Sequence, residues 1–297
     1  VPIGHITNGV HIPTWIGPEF QDLFDRHLGS DWMSRQAQSD TWAPVQEIPA
    51  EELTKAKQTQ KDRLIESLGG DLDRDSLIVG FARRFATYKR ASLLISDLDR
   101  LDAILNHTDR PVTVLFAGKA HPRDEGGKSL IQSLYKVSRD PRFRNRFRVL
   151  AGYDIAMAQL LVQGVDLWLN NPRRPMEASG TSGQKVAFNG GLNCSILDGW
   201  WAEGWDGKNG FAIGTSRIHR DTQVQDARDA QDLYRVLEEE VAPLFYSRDS
   251  SGHRGPWLAY VRRAIRTLSW RFCSDRMVQD YVNLSYLPTS GFSPSDL

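Results

Sequence analysis

The chain alternates short, continuous apolar runs with helical stretches, and no other feature constrains its fold as much. Residues 76–82, 111–117, 147–151, 166–170 and 192–197 each read as a strand. Runs of this length, apolar at nearly every position, suit strands covered on both faces. Helical patterns occupy 49–69, 91–105, 127–137, 156–162 and 181–188, and Gly69-Gly70 closes the first. Strand, helix, strand at this spacing means βαβ units and a parallel sheet. The expected fold is therefore α/β, a Rossmann-like doubly wound parallel sheet. Two longer helical stretches follow, 222–244 and 256–284. In the second, Trp257, Val261, Ile265, Leu268 and Phe272 recur at helical spacing and read as a packing stripe. The segment up to residue 41 is aromatic and mixed, with Pro2, Pro13 and Pro18 as turn signals.

Composition narrows the function classes. Lys and Arg number 37 and Asp and Glu number 37, so the formal net charge is zero. A dedicated nucleic-acid binder needs a basic excess, so no nucleic-acid partner is expected. No apolar run of roughly 18 residues occurs, so no membrane span is expected. Cys194 and Cys273 are the two cysteines, without CxxC spacing. They argue against a disulfide framework or structural zinc and for a reducing, cytoplasmic compartment. The seven His show no metal-ligand spacing, and no metal is expected. The chain starts at Val1 rather than Met, which reads as either a processed chain or a piece of something longer.

In open parallel sheets, ligands sit beyond the carboxyl ends of the strands, so the loops there hold the candidate site. After the first strand come Arg83, Arg84, Lys89 and Arg90, a basic cluster suited to an anion. After the second, Lys119 is a candidate for the same crevice. His121 is a candidate base, although a His before Pro122 is more often structural. After the third, Asp154 reads as a helix N-cap and Tyr153 as a ligand-lining ring. After the fourth comes the densest segment, Glu177-Ala-Ser-Gly-Thr-Ser-Gly-Gln-Lys185. Glycines and small residues leading into a helix expose backbone N–H groups as an anion cradle. The segment is neither a Walker A loop nor GxGxxG. Lys185 on the first turn is a candidate Schiff-base amine for an aldehyde cofactor.

That segment, with Asn189-Gly190-Gly191 and Leu197-Asp198-Gly199 after it, closely resembles the pyridoxal-phosphate segment of α-glucan (glycogen, starch, maltodextrin) phosphorylases. Three further stretches match in order: Ile6-Thr7-Asn8-Gly9-Val10 with Trp15, Arg83-Arg84 with Tyr88-Lys89-Arg90, and Gly118-Lys119-Ala120 with Pro122. The resemblance covers about residues 1–215 and, more loosely, the helices beyond. It implies that Lys185 holds pyridoxal 5′-phosphate as an imine. Thr181, Gly180 and Ser182 would cradle the cofactor phosphate with help from Arg83, and Trp15 and Tyr153 would line the cofactor. Arg84 and Lys89 would bind substrate phosphate. Asn8, Glu177, Ser179 and Gly180 would hold glucose hydroxyls. Lys185, Arg84 and Lys89 thus form the implied catalytic set. The implied reaction is retaining phosphorolysis of α-1,4-glucan to α-glucose 1-phosphate, with the cofactor phosphate relaying a proton to the substrate phosphate.

The family's architecture is the two-domain glycosyltransferase fold termed GT-B, of which this chain resembles the C-terminal half. Residues 1–255 would form the cofactor- and phosphate-binding domain. Residues 256–297 would form a helix and tail that pack toward an N-terminal domain lying outside the sequence. A homo-oligomer is compatible with the family. Asp154 departs from the basic residue of the long forms, and the Trp200, Trp201 and Trp205 loop resembles the shorter bacterial type. The nearest rival is a nucleotide-sugar glucan synthase, whose signature carries a second Glu eight positions after the first. Here that position is Lys185. A non-catalytic cofactor- or sugar-binding fragment is the other rival.

Overall fold

The computed structural model describes residues 3–215, 217–293 and 295. Six strands form one sheet: β1 (Leu77–Ala82), β2 (Val112–Ala117), β3 (Phe147–Leu150), β4 (Leu167–Asn170), β5 (Leu192–Ile196) and β6 (Gly210–Ile213). Their spatial order is β3-β2-β1-β4-β5-β6, with every pairing parallel. This is the doubly wound arrangement expected from the apolar runs. The order reverses between β1 and β4, where Val79 faces Leu167 and Gly80 faces Trp168.

The helices are α1 (Ile12–Trp15), α2 (Pro18–His27), α3 (Ala50–Ser67), α4 (Leu98–Leu105), α5 (Glu125–Ser138), α6 (Ile155–Gly164), α7 (Gln184–Ala187), α8 (Trp200–Gly204) and α9 (Thr222–Arg235). They continue with α10 (Ala242–Tyr246), α11 (Gly255–Leu268), α12 (Ser274–Tyr281) and α13 (Leu287–Thr289). Two hydrophobic clusters cover the two faces of the sheet. The larger takes in the aromatic opening segment, where Phe24, Trp32 and Trp42 pack edge to face with centroids 5.3–5.5 Å apart. Such pairs add about 1 kcal/mol each beyond their area burial. Trp257, Val261, Ile265 and Leu268 of the α11 stripe, and Phe272 beyond it, join the same cluster.

Several predicted elements differ, for identifiable reasons. The helix expected over 91–105 begins only at Leu98. Arg90 adopts a left-handed conformation (φ 51°). Its guanidinium donates to the Asn171 and Pro172 carbonyls and to Asp226 and Asp229, which fixes the backbone away from helix. The Asp97 side chain then caps α4 at the Arg100 N–H. The helix expected over 181–188 is a single turn, α7. The stretch 222–244 is α9 and α10 joined by a π-helical segment, Val236–Val241. The helix expected over 256–284 breaks after α11. There Val10 inserts as a bridge, donating to the Phe272 carbonyl (2.8 Å) and accepting from the Ser274 N–H (2.8 Å). A partner more than 260 residues away in sequence, on the order of the whole chain, cannot be read from helical periodicity, which links neighbours about 3.6 residues apart. β6 was not expected. It is four residues long, and its position beside β5 follows from the Trp201 indole donating to the Phe211 carbonyl and from buried Asn209 tying the loop.

Candidate active site

The reversal between β1 and β4 opens the crevice where doubly wound sheets bind ligands. The loops after β1 and β4 meet there. Arg83 follows β1, Glu177 lies seven residues past β4, and the two form an ion pair. Lys89 Nζ lies 3.0 Å from the same Glu177 oxygen. All three side chains are at least 87% buried. One carboxylate between two cations leaves a surplus positive charge. Burial pushes the Arg83 guanidinium down from its ordinary value, and Glu177 opposes that shift. The Nε and Nη1 groups of Arg83 are buried without a partner among the described residues. Buried guanidinium donors without a protein partner are uncommon, and this pair suits an anionic ligand.

Glu177 is held in place from behind. Its N–H donates to Asp198 at 2.9 Å, and the Trp200 N–H donates to the Ser179 carbonyl at 2.9 Å. Gly199 between them has φ 54°, and a Cβ there would sit 2.3 Å from the Ser179 oxygen, so only glycine closes this contact. Among the described residues the N–H groups of Gly180, Thr181, Ser182 and Gly183 have no hydrogen-bond partner, and Ser179 Oγ is buried with none. Gly183 packs so tightly that an added Cβ would lie 2.2 Å from Asn193 Oδ1 and 3.0 Å from the Trp200 ring. Because α7 is one turn long, the cradle rests on loop amides rather than on a long helix dipole.

Lys185 is half-buried on α7, and its amine lies 3.5 Å from the centroid of the Trp15 ring. Burial pushes that amine down to about 8. Trp15 and Tyr153 pack against the same hydrophobic cluster. The Tyr153 hydroxyl is shifted up by burial. Ser182 Oγ accepts from the Trp168 indole at 3.2 Å. The Gln184 side chain donates to the Asn8 carbonyl at 2.9 Å, which brings residue 8 to the same edge, with its own side chain exposed. Arg84, Lys119 and His121 are exposed. His121 Nδ1 accepts from the Arg123 N–H at 3.1 Å, which is a turn contact. Asp154 caps α6 by accepting from the Met157 N–H at 2.9 Å. Arg90 is buried in its structural network with Asp226 and Asp229 rather than aimed at the crevice.

Residue-by-residue reading gives no role to Asn170 and Asn193, and takes in Asn189 and Asp198 only as parts of the matching motifs. Asn170 and Asn193 line the floor under Gly183, each with its side-chain oxygen unpartnered. The signal available was the Asn-Gly-Gly and Asp-Gly pairs, whose glycines mark close backbone approach.

A doubly wound sheet with a cationic crevice at its switch point places the chain among α/β domains whose candidate site lies beyond the carboxyl ends of the strands. Comparison with known proteins gives the family. A family model for carbohydrate phosphorylases matches residues 3–240, and the chain belongs to that family. It is 44% identical to a maltodextrin phosphorylase of Thermococcus litoralis, over 96% of this chain and 36% of that protein. It is 42% identical to a glycogen phosphorylase of Aquifex aeolicus, over 96% of this chain and 44% of that protein. It is 40% identical to a glycogen phosphorylase of Mycobacterium tuberculosis, over 98% of this chain and 36% of that protein. The chain thus spans less than half the length of these relatives.

Proposed function

We propose that the protein is a retaining α-glucan phosphorylase that uses inorganic phosphate to release α-glucose 1-phosphate, and that this chain is its cofactor- and phosphate-binding part. The observation that carries the reading is the Arg83–Glu177–Lys89 cluster, with its open guanidinium donors, at the carboxyl edge of the sheet, where the loop after β4 also leads to the half-buried Lys185. Pyridoxal 5′-phosphate offers an aldehyde, an aromatic ring and a phosphate, and the residues present suit each. Lys185 supplies an amine whose burial lowers it to about 8, so far more of it is free base near neutral pH than for a surface lysine. Trp15 and Tyr153 supply apolar ring faces. The unpartnered amides of Gly180 to Gly183, with Arg83, supply donors for a phosphate. When bound, the cofactor supplies a phosphate that exchanges a proton with the substrate phosphate.

The chain's own residues do the rest. Arg84 and Lys89 bind the substrate phosphate and concentrate positive charge where two phosphates must lie side by side. Glu177, Asn8, Ser179 and the Gly180 backbone hold sugar hydroxyls. The Glu177 carboxylate pairs with both Lys89 and Arg83, which holds the two cations together for an anion. The architecture is GT-B. Residues 1–255 form the cofactor- and phosphate-binding domain, and the tail within 256–297 reaches toward a second domain that completes the sugar site. α12 and α13 bury no residue here, which supports that course. Among the described residues no helix is long and apolar enough to cross a membrane, and we assign the protein to the cytoplasm. A homo-oligomer is compatible with this arrangement.

The test is an absorbance titration with pyridoxal 5′-phosphate. A cofactor band in the native chain, lost in Lys185→Ala and kept in Arg84→Ala, supports the reading. A band that survives Lys185→Ala overturns it. Maltodextrin phosphorolysis by this chain alone is expected to be slight, and restored when the remainder of the protein is present.

A further inference from the structure

Asn189 lies two residues past α7 and is fully buried. Its Nδ2 donates to the Lys185 carbonyl at 2.8 Å and to the Trp15 carbonyl at 3.0 Å. Its Oδ1 accepts from the Gly17 N–H at 2.8 Å. One amide group therefore holds the backbone beneath the amine and the backbone beneath the ring that covers it. The two segments are far apart in the chain, and no strand pairing joins them. Trp15 closes the four-residue α1, and Lys185 sits on the single-turn α7.

Asn189 is itself anchored. Its carbonyl accepts from Lys57 Nζ at 3.2 Å, and the same ammonium caps the Gln163 and Val165 carbonyls at 2.7 and 2.6 Å. The next residue, Gly190, has φ 71°, and a Cβ there would lie 2.4 Å from the Phe20 ring. The turn that presents Asn189 is thus fixed from α2 and α3.

We propose that Asn189 is the positioning residue that seats the Lys185 amine under the Trp15 ring and keeps water from it. Side-chain position is coupled to its backbone, so a carbonyl held within about 3 Å fixes where the attached ring or amine can reach. Among the described residues no ion pair or hydrogen bond reaches the Lys185 amine, whose contact is with the Trp15 ring. Cover by the ring and the surrounding chain, rather than a charged neighbour, then governs how readily this amine reacts. Burial is the cause of its depressed value. The purpose of the arrangement, a reactive amine for a carbonyl cofactor, rests on the function proposed above. The geometry does not.

The experiment is competitive labelling of the chain with trace acetic anhydride between about pH 6 and 11, a range that brackets ordinary lysine titration, with the Lys185 peptide quantified by mass spectrometry. The native chain should show Lys185 titrating at about 8, well below the surface lysines. Asn189→Ala, and Asn189→Leu, which keeps the volume and removes the side-chain hydrogen bonds to Gly17, Gln60, Trp15 and Lys185, should move the profile upward. Lys185 labelling at neutral pH should then fall roughly tenfold or more, since each pH step by which the titration midpoint rises cuts the free amine about tenfold. Trp15→Leu spares the backbone contacts of Asn189 and should give a similar rise. Adding Asn189→Ala to it should then change labelling less than about twofold, because the second loss acts through the first.

A folded Asn189→Ala chain whose profile stays within about twofold of native overturns the proposal, as do additive effects in the double variant. Should the Asn189 variants fail to fold, Trp15→Leu decides, and an unmoved Lys185 profile there overturns it. The labelling needs no cofactor. A native chain with the expected profile but no pyridoxal-phosphate band sinks the proposed function and leaves the positioning role standing.

Discussion

Replacing Glu177 by Gln keeps the size of the side chain and removes the single negative charge between Arg83 and Lys89. Both cations are 8% exposed and Glu177 is 13% exposed, so water cannot compensate fully. Leaving a buried charge without its partner costs about 3–5 kcal/mol, and the Gln carbonyl still accepts one hydrogen bond, so the lower end applies. For a chain of this size a loss of about 3 kcal/mol lowers the melting temperature by roughly 6 °C. Phosphate should reverse much of this. With Glu177 gone, Arg83 and Lys89 face the crevice unpaired, and an anion that binds only the folded chain stabilises it by about 2.7 kcal/mol at roughly one hundred times its Kd. The assay is thermal unfolding of native and Glu177→Gln chains in phosphate and in chloride at equal ionic strength. The variant should melt lower in chloride and gain more from phosphate than the native chain does. If phosphate raises both melting temperatures equally, Arg83 and Lys89 do not present an anion site, and the assignment of this crevice to phosphate fails.

Gly183→Ala should weaken pyridoxal-phosphate binding at least tenfold in an absorbance titration, because the added methyl collides with Asn193 and Trp200. Lys57→Met should destabilise the chain by about 3 kcal/mol in urea unfolding, since three buried carbonyls lose their common donor. The same variant has a pH signature. Burial pushes the Lys57 amine down to about 7, so between pH 7 and its ordinary value of 10.5 the unfolded chain binds more protons than the folded one. Native stability therefore rises with pH across that window, and the cost of Lys57→Met should be larger at about pH 9.5 than at about pH 6.5. A pH-independent cost would show that Lys57 stays charged throughout. Asp154→Ala should cost about 1 kcal/mol through loss of the α6 cap and leave phosphate binding unchanged, as calorimetry with phosphate can check.

The strands were legible because each is apolar along its whole length, a pattern that buried parallel strands produce and few other elements do. β1 to β5 lie within a residue of their expected ends. The Arg83, Lys89, Glu177 and Lys185 loops were legible for a related reason: a parallel sheet sends every strand's carboxyl end to one edge, so residues after different strands must gather there. Cap chemistry was equally local, and Asp154 needed only the helix it precedes. By contrast, the break between α11 and α12 depends on Val10, and the late start of α4 depends on Arg90 reaching Asp226 and Asp229. Neither partner is within helical range, so periodicity carried straight through both sites.

By itself, then, the sequence determined the class of fold, the edge of the sheet that bears the site, and which residue types stand there. Those follow from local hydrophobic pattern and from chain direction. Tertiary structure alone decided which charges meet: that Glu177 sits between Arg83 and Lys89, that Lys185 lies under Trp15, and that Asn189 ties the two. A hydrogen bond acts over about 3 Å regardless of separation along the chain, and only the closed fold brings such distant groups within that reach.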